Sequence, residues 1–184
     1  METSEQQQVQ STVVGQLGKI VYAQLAPGAD LYTSIVDVCK AEQIETGLVL
    51  NITGALTKTR LSTPVKKDRV EAPPEFIELD GLAEATGTGY IGRTVDSWKS
   101  QVSQITLTAG DPFLHVHLVV SVGGETHCGH LIEGCLVRSL HPKSHFVVVI
   151  ADTQGIDLSF HRDDDSGVET YPNGLPFYEL AAQG

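Results

Sequence analysis

The stretch LHVHLVVSVGGETHCGH, residues 114–130, restricts the fold more than any other part of the chain. Two runs that alternate apolar and polar residues flank Gly123-Gly124. This is the pattern of a β-hairpin closed by a two-residue turn, where positive φ is needed and glycine supplies it cheaply. Such a turn dictates register: Val122 faces Glu125, Ser121 faces Thr126, and His117 faces His130. Side chains alternate along a strand, so His115 shares the face of His117 while Leu114, Val116 and Leu118 take the other. Directly opposed β-carbons lie ~4.5–5.5 Å apart and diagonal ones ~7–8 Å, close enough for three imidazoles to converge. The same register puts Cys128 on the histidine face opposite Val119, with His127 and Glu133 on the reverse. A slip of one residue would overturn these assignments.

The residues themselves leave three readings open: a metal site, a polar small-molecule pocket without metal, or a histidine-rich strand with no function. Three imidazoles with an open fourth position match a catalytic zinc arrangement, where the ion acidifies bound water or polarises a carbonyl. The pattern favours that first reading, with His115, His117 and His130 as the ligands. His141, His145 and His161 lie outside the hairpin and read as surface or loop residues.

Composition bounds the rest. With 184 residues, 41% of them hydrophobic and 19% charged, the chain suits one globular domain with a core of its own. No apolar run approaches the ~18–20 residues of a membrane span. The opening METSEQQQVQST lacks the basic and apolar regions of a signal peptide and reads as a leader over residues 1–12. Three cysteines, Cys39, Cys128 and Cys135, are an odd number without CxxC spacing, so reduced thiols in a cytoplasmic protein are expected. A net charge of −11 argues against direct binding of nucleic acid, whose phosphates attract Lys and Arg. The densest basic run, Lys58 to Arg69, reads as a solvated loop or, less simply, an anion-binding surface.

Along the chain, a strand is expected near Lys19–Leu25, and Asp30 is placed to cap a helix beginning at Leu31. Leu31, Ile35, Val38 and Cys39 recur at helical spacing, which makes Cys39 a core residue. ETGLVLNITGAL reads as a buried strand and turn, TKTRL as a further strand, and STPVKKDRVEAPP as a loop or edge. EFIELDG alternates and ends at Gly81. The stretch from Leu82 to Ser100 contains GTGYIG, whose spacing is not that of a phosphate loop. It reads as an inserted flap, with Trp98 packing over the sheet or a cleft. SQITLT and FLHVHLVVSV are strands about a tight GDP turn, and SHFVVVIAD is a last apolar strand. Residues 153–184 form an acidic extension, with Tyr171, Phe177 and Tyr178 spaced as anchors onto the domain surface.

The block LHVHLVVSVGGETHCGHLIEGC resembles the hairpin of the PPC domain, the plant and prokaryote conserved domain. LAPGADLYTSIVDVCKAEQIETGLVLNITGALTKTRL is similar to that family's opening strand, helix and two strands, and PPEFIELDG to the segment after its central loop. The likeness runs from Lys19 to Asp152, giving a domain over 13–152 with an insertion at about 82–100. It implies an α+β fold, a mostly antiparallel twisted sheet with one main packed helix, assembled as a homotrimer through the sheet. In stand-alone prokaryotic members the histidines matching His115, His117 and His130 are metal ligands, which implies a divalent ion, zinc foremost. Plant members bind DNA through AT-hooks, and this chain has no RGRP-type hook. A weaker similarity, in fold and in an HxH-plus-His zinc site, is to acetolactate decarboxylase. It suggests a lyase or decarboxylase type of enzyme, or a sensor, acting on a small carboxylate, with Arg60 as the candidate to hold that carboxylate. The contrasting expectation is a non-enzymatic regulatory or interaction module associated with DNA through a partner.

Overall fold

Asp30 starts the helix as its chemistry dictates. Its Oδ1 accepts the free Thr33 N–H at 2.9 Å, and helix α1 runs Leu31–Glu42; a cap of this kind stabilises by about 1 kcal/mol. The second carboxylate oxygen, Oδ2, accepts Gly134 N–H at 2.6 Å, so one side chain ties the helix start to the segment after the histidine hairpin. Leu31, Ile35 and Cys39 are buried, with Val38 partly so, which is the apolar face read from the spacing. The computed structural model describes residues 9–63, 75–99, 106–163 and 175–183. Residues 1–8 of the expected leader, positions 64–74 of the proline-rich loop, and Tyr171 lie outside the described residues.

Eleven strands accompany the helix among the described residues: β1 Gln16–Gln24, β2 Gly47–Thr63, β3 Glu75–Thr94, β4 Trp98–Lys99, β5 Thr106–Leu107 and β6 Pro112–Val122. They continue with β7 Glu125–Leu131, β8 Leu136–Val137, β9 Val147–Gln154, β10 Ile156–Asp163 and β11 Leu175–Ala182. The main sheet runs β1-β9-β2-β7-β6-β3-β10-β11, and all its pairings are antiparallel except β10 with β3. This mostly antiparallel sheet with one packed helix is the expected fold class. Four strands also close a ring: β2 pairs with β3, β3 with β6, β6 with β7, and β7 returns to β2 through Leu61–Leu131 and Ser62–His130. The ring and α1 share one core, containing Ile52, Leu56, Leu61, Val116, Leu118, Val120 and Leu131. No helix among the described residues is long and apolar enough to cross a membrane.

The structure corrects three sequence expectations. First, ETGLVLNITGAL and TKTRL are not two strands about a turn but one seventeen-residue strand, β2. Gly54, at φ 153°, lies inside that strand with the buried Phe146 ring over it, so this glycine makes room rather than a turn.

Second, EFIELDG does not end at Gly81, and Leu82–Thr94 is not an inserted flap; both belong to β3, the longest strand and a ring member. The glycines of GTGYIG serve close approach. A β-carbon on Gly87 would stand 2.6 Å from the His117 carbonyl oxygen, and one on Gly89 2.6 Å from Val116 Cα. Glycine in a strand interior marks this kind of backbone contact as often as a turn. Trp98, in the short β4, packs beside Phe160 with ring centroids 5.9 Å apart.

Third, SHFVVVIAD is not the last strand, because β10 and β11 extend the sheet beyond it. In the short segment before β6, β5 pairs with β4 rather than across the turn.

Candidate metal centre

The hairpin register is the one derived from the Gly123-Gly124 turn: His117 pairs with His130, Val119 with Cys128, and Val122 with Glu125. Both turn glycines have positive φ, 59° and 91°. With Val116, Leu118 and Val120 committed to the core, the three histidines stand on the opposite face of the ring. Ring centroids are 4.4 Å apart for His117–His130, 4.7 Å for His115–His130 and 5.2 Å for His115–His117. One nitrogen from each ring lies within 4.8 Å of the other two, and the Nε2 atoms of His115 and His117 are 3.1 Å apart. Nitrogens sharing a tetrahedral zinc at ~2.0–2.1 Å stand about 3.3 Å from one another, so small ring rotations bring this set to coordination distance. The donors fit such an ion.

The surroundings of His115 and His130 favour the neutral imidazole, the form that can donate a lone pair. Burial, then the neighbouring His130 and His117, push the His115 pKa down to about 4. Burial and His117 also lower that of His130. A depressed folded pKa means that the unfolded chain takes up protons first as pH falls. Stability of metal-free protein is therefore present above pH 6.5, the ordinary histidine value, and is lost as pH falls from there towards about 4. Melting temperatures measured across that window with a chelator present should decline in the wild type and decline less steeply in His115→Gln, where His130 still titrates.

Two tyrosines that sequence reading did not assign to the site complete it. Tyr90 is directly opposite His115 across β3–β6 and stacks on it, with centroids 4.7 Å apart and planes 9° from parallel. Tyr178, read as a surface anchor of the tail, reaches in from β11 and places its hydroxyl 2.8 Å from His115 Nδ1. No short-range pattern marks either contact. Tyr90 would have followed from recognising GTGYIG as a strand paired with β6, whereas Tyr178 is 63 residues from His115.

The other assigned residues fall as follows. Cys128 is exposed on the histidine face, one alternating pair beyond His117–His130, and does not belong to the three-residue group. Cys39 and Cys135 are buried free thiols, with pKa values pushed up by burial to about 12 and about 11, so neither is a thiolate. Glu133 is exposed and follows the end of β7. Arg60 shares the face of Ser62, the strand partner of His130, but its Nε is ion-paired with Glu78 at 3.2 Å and its guanidinium lies 4.6 Å over Phe76. His161 is not a loose surface residue; it lies on β10, 3.0 Å from Ser159 Oγ and 3.3 Å from the Glu179 carboxylate.

Fold and cluster together define a class: an α+β domain whose outer hairpin face carries a three-histidine site. The sequence matches the Plants and Prokaryotes Conserved (PCC) domain over residues 12–142, and the chain belongs to that family, called PPC above. Among solved structures it is similar to a plant- and prokaryote-conserved protein from Pyrococcus horikoshii, at 21% identity and TM-score 0.63, covering 90% of this chain and 95% of the other. A metal-containing protein from Archaeoglobus fulgidus aligns at 18% identity and TM-score 0.63, covering 92% and 99%. A candidate DNA-binding protein from Bacteroides thetaiotaomicron aligns at 15% identity and TM-score 0.57, covering 90% and 96%. No curated protein matches the sequence.

Proposed function

We propose that His115, His117 and His130 hold one divalent metal ion, zinc suiting the donor set best, and that the site serves to bind a small carboxylate or other anion at the open position. The observation that carries this reading is the convergence of three imidazole nitrogens within 4.8 Å of one another on one hairpin face. A bound ion would supply charge to polarise a carbonyl or carboxylate oxygen. The chain's own residues do the rest: Tyr90 and Tyr178 wall the His115 side with aromatic surface, and β7 and β2 carry His130 and Ser62 at the other. Arg60 would contribute its cation by exchanging the Glu78 carboxylate for that of the ligand. The name of the Archaeoglobus relative as metal-containing supports the reading. Metal content of untagged protein is the test: about one ion per chain is expected, and protein that stays metal-free after zinc incubation removes the proposal.

Homotrimeric assembly through the sheet belongs to the same reading. Ile20 and Tyr22 on β1 and Leu48 and Leu50 on β2 are exposed, and Tyr22 is 75% accessible. Exposed large apolar side chains on the two strands that flank β9 suit a protein interface. Tyr22→Asp combined with Ile20→Asp should shift the mass seen in analytical ultracentrifugation from trimer to monomer, with circular dichroism unchanged.

A second reading, an interaction module working beside DNA, draws on the name of the Bacteroides relative. The net charge of −11 sets it apart from direct phosphate contact. Retention of the protein on duplex DNA only when a DNA-binding partner is present would favour it.

A further inference from the structure

We propose that Tyr178 is a positioning residue for the metal centre and that, through it, the C-terminal hairpin β10–β11 is coupled to ion binding. The inference rests on the three-histidine reading above and adds a control element to it.

An imidazole has two nitrogens, and His115 uses them in different directions. Its Nε2 faces His117 Nε2 at 3.1 Å, inside the cluster, while Nδ1 faces the Tyr178 hydroxyl at 2.8 Å, outside it. For Nε2 to offer a lone pair to an ion, Nδ1 must carry the proton. That N–H then donates to the Tyr178 oxygen, and a partner of this kind selects the ligating tautomer and holds the ring. Tyr90, stacked on the ring face, prevents rotation in the other sense.

Tyr178 is itself held by side chains. It stacks on Phe113 with centroids 5.2 Å apart and meets the edges of Tyr90 and Phe160 at 5.9 Å. Its neighbours on β11 clamp to β10: Phe177 stacks on His161 at 5.2 Å, and Glu179 pairs with the same imidazole at 3.3 Å. Among the described residues it is β10 that bonds to the rest of the fold, through the ladder pairs Ser159–Arg93 and Phe160–Thr94, the Val95 N–H to Phe160 carbonyl bond at 3.0 Å, the Leu158 N–H to Thr46 and Arg162 N–H to Asp96 bonds at 3.2 Å, and the Arg93–Asp157 ion pair at 2.9 Å. In strand order β11 stands three places from β6, so the hairpin must fold back over the face of β3 and β6 for Tyr178 to reach His115. With β10 anchored in this way, β11 meets the site through one aromatic side chain on the ligand, and the ion can strengthen its docking. Linkage is reciprocal: docking that favours the ligating tautomer tightens the ion, and the ion tightens docking. The family match ends at residue 142, so this device lies in a part of the chain that the match does not reach.

The test compares wild type with Tyr178→Phe, which keeps the ring packing and loses the hydroxyl. Zinc affinity is measured by competition with a chromophoric chelator, and amide exchange over residues 175–182 is followed with zinc and with chelator. A loss of about 10–100-fold in affinity is expected for Tyr178→Phe, with metal-free melting lowered by no more than a few degrees, since one hydrogen bond contributes about 1 kcal/mol. In zinc-loaded wild type a hydrogen-bonded His115 Nδ1–H resonance should be visible and should be missing in the variant, a change that lost packing alone would not cause. Zinc should slow exchange in β11 of the wild type. Equal zinc affinity of the two proteins overturns the positioning role, and β11 exchange indifferent to zinc overturns the coupling. Wild type that binds no zinc at all removes the metal reading itself, and this inference with it.

Discussion

His117→Ala is expected to abolish stable metal binding while leaving the fold intact. His117 is the central member of the cluster, opposite His130 and 3.1 Å from His115 between their Nε2 atoms, and it is exposed. Its removal leaves two imidazoles, and zinc sites of this class require three protein ligands. The core face of β6 is untouched, because Val116 and Leu118 point the other way. The measurement is metal content by inductively coupled plasma mass spectrometry with native mass spectrometry on the same samples. Wild type should carry about one ion per chain, and the variant less than roughly a tenth of that after desalting. Melting of the metal-free proteins should agree within a few degrees. A variant that retained full occupancy would place the ion elsewhere.

The second large effect is expected from Gly89→Ala, far milder on paper. Gly89 pairs with Val116 on β6, and its α-carbon faces the His115 carbonyl so closely that an added methyl would collide with backbone, not with a movable side chain. Backbone cannot yield as a side chain does, so β3 and β6 must separate locally. Overpacking of this kind costs about 1–3 kcal/mol and occasionally more. For a chain of this size that lowers the melting temperature by roughly 2–12 °C. The displaced segment carries His115, so zinc affinity should fall as well. Thr88→Ala, at the neighbouring exposed position opposite His117, is the control and should change stability by less than about 0.5 kcal/mol. If Gly89→Ala melts with the wild type, close approach is not the reason for the glycine.

These two positions also show where sequence reading succeeds and where it stops. The histidine pairing was legible because a two-residue glycine turn sets the register of the residues beside it, and the alternation assigns faces. The same locality made the Asp30 cap legible, since donor and acceptor are three residues apart. GTGYIG was not legible: glycine permits both a turn and a close backbone contact, and nothing within the hexapeptide distinguishes them. The choice is made by β6, which must lie against β3 for the ring to close.

The amino-acid sequence by itself therefore determined the helix, the hairpin, its register and the three histidines that share a face, because each depends on interactions within a few residues. Only the tertiary structure decided that β2 and β3 run unbroken, that four strands close into a ring, and that Tyr90 and Tyr178 stand against His115. Those outcomes depend on which apolar faces are left to be buried once the local elements exist. Burial is non-directional and scales with area, so it selects partners from the whole chain rather than from neighbours in sequence.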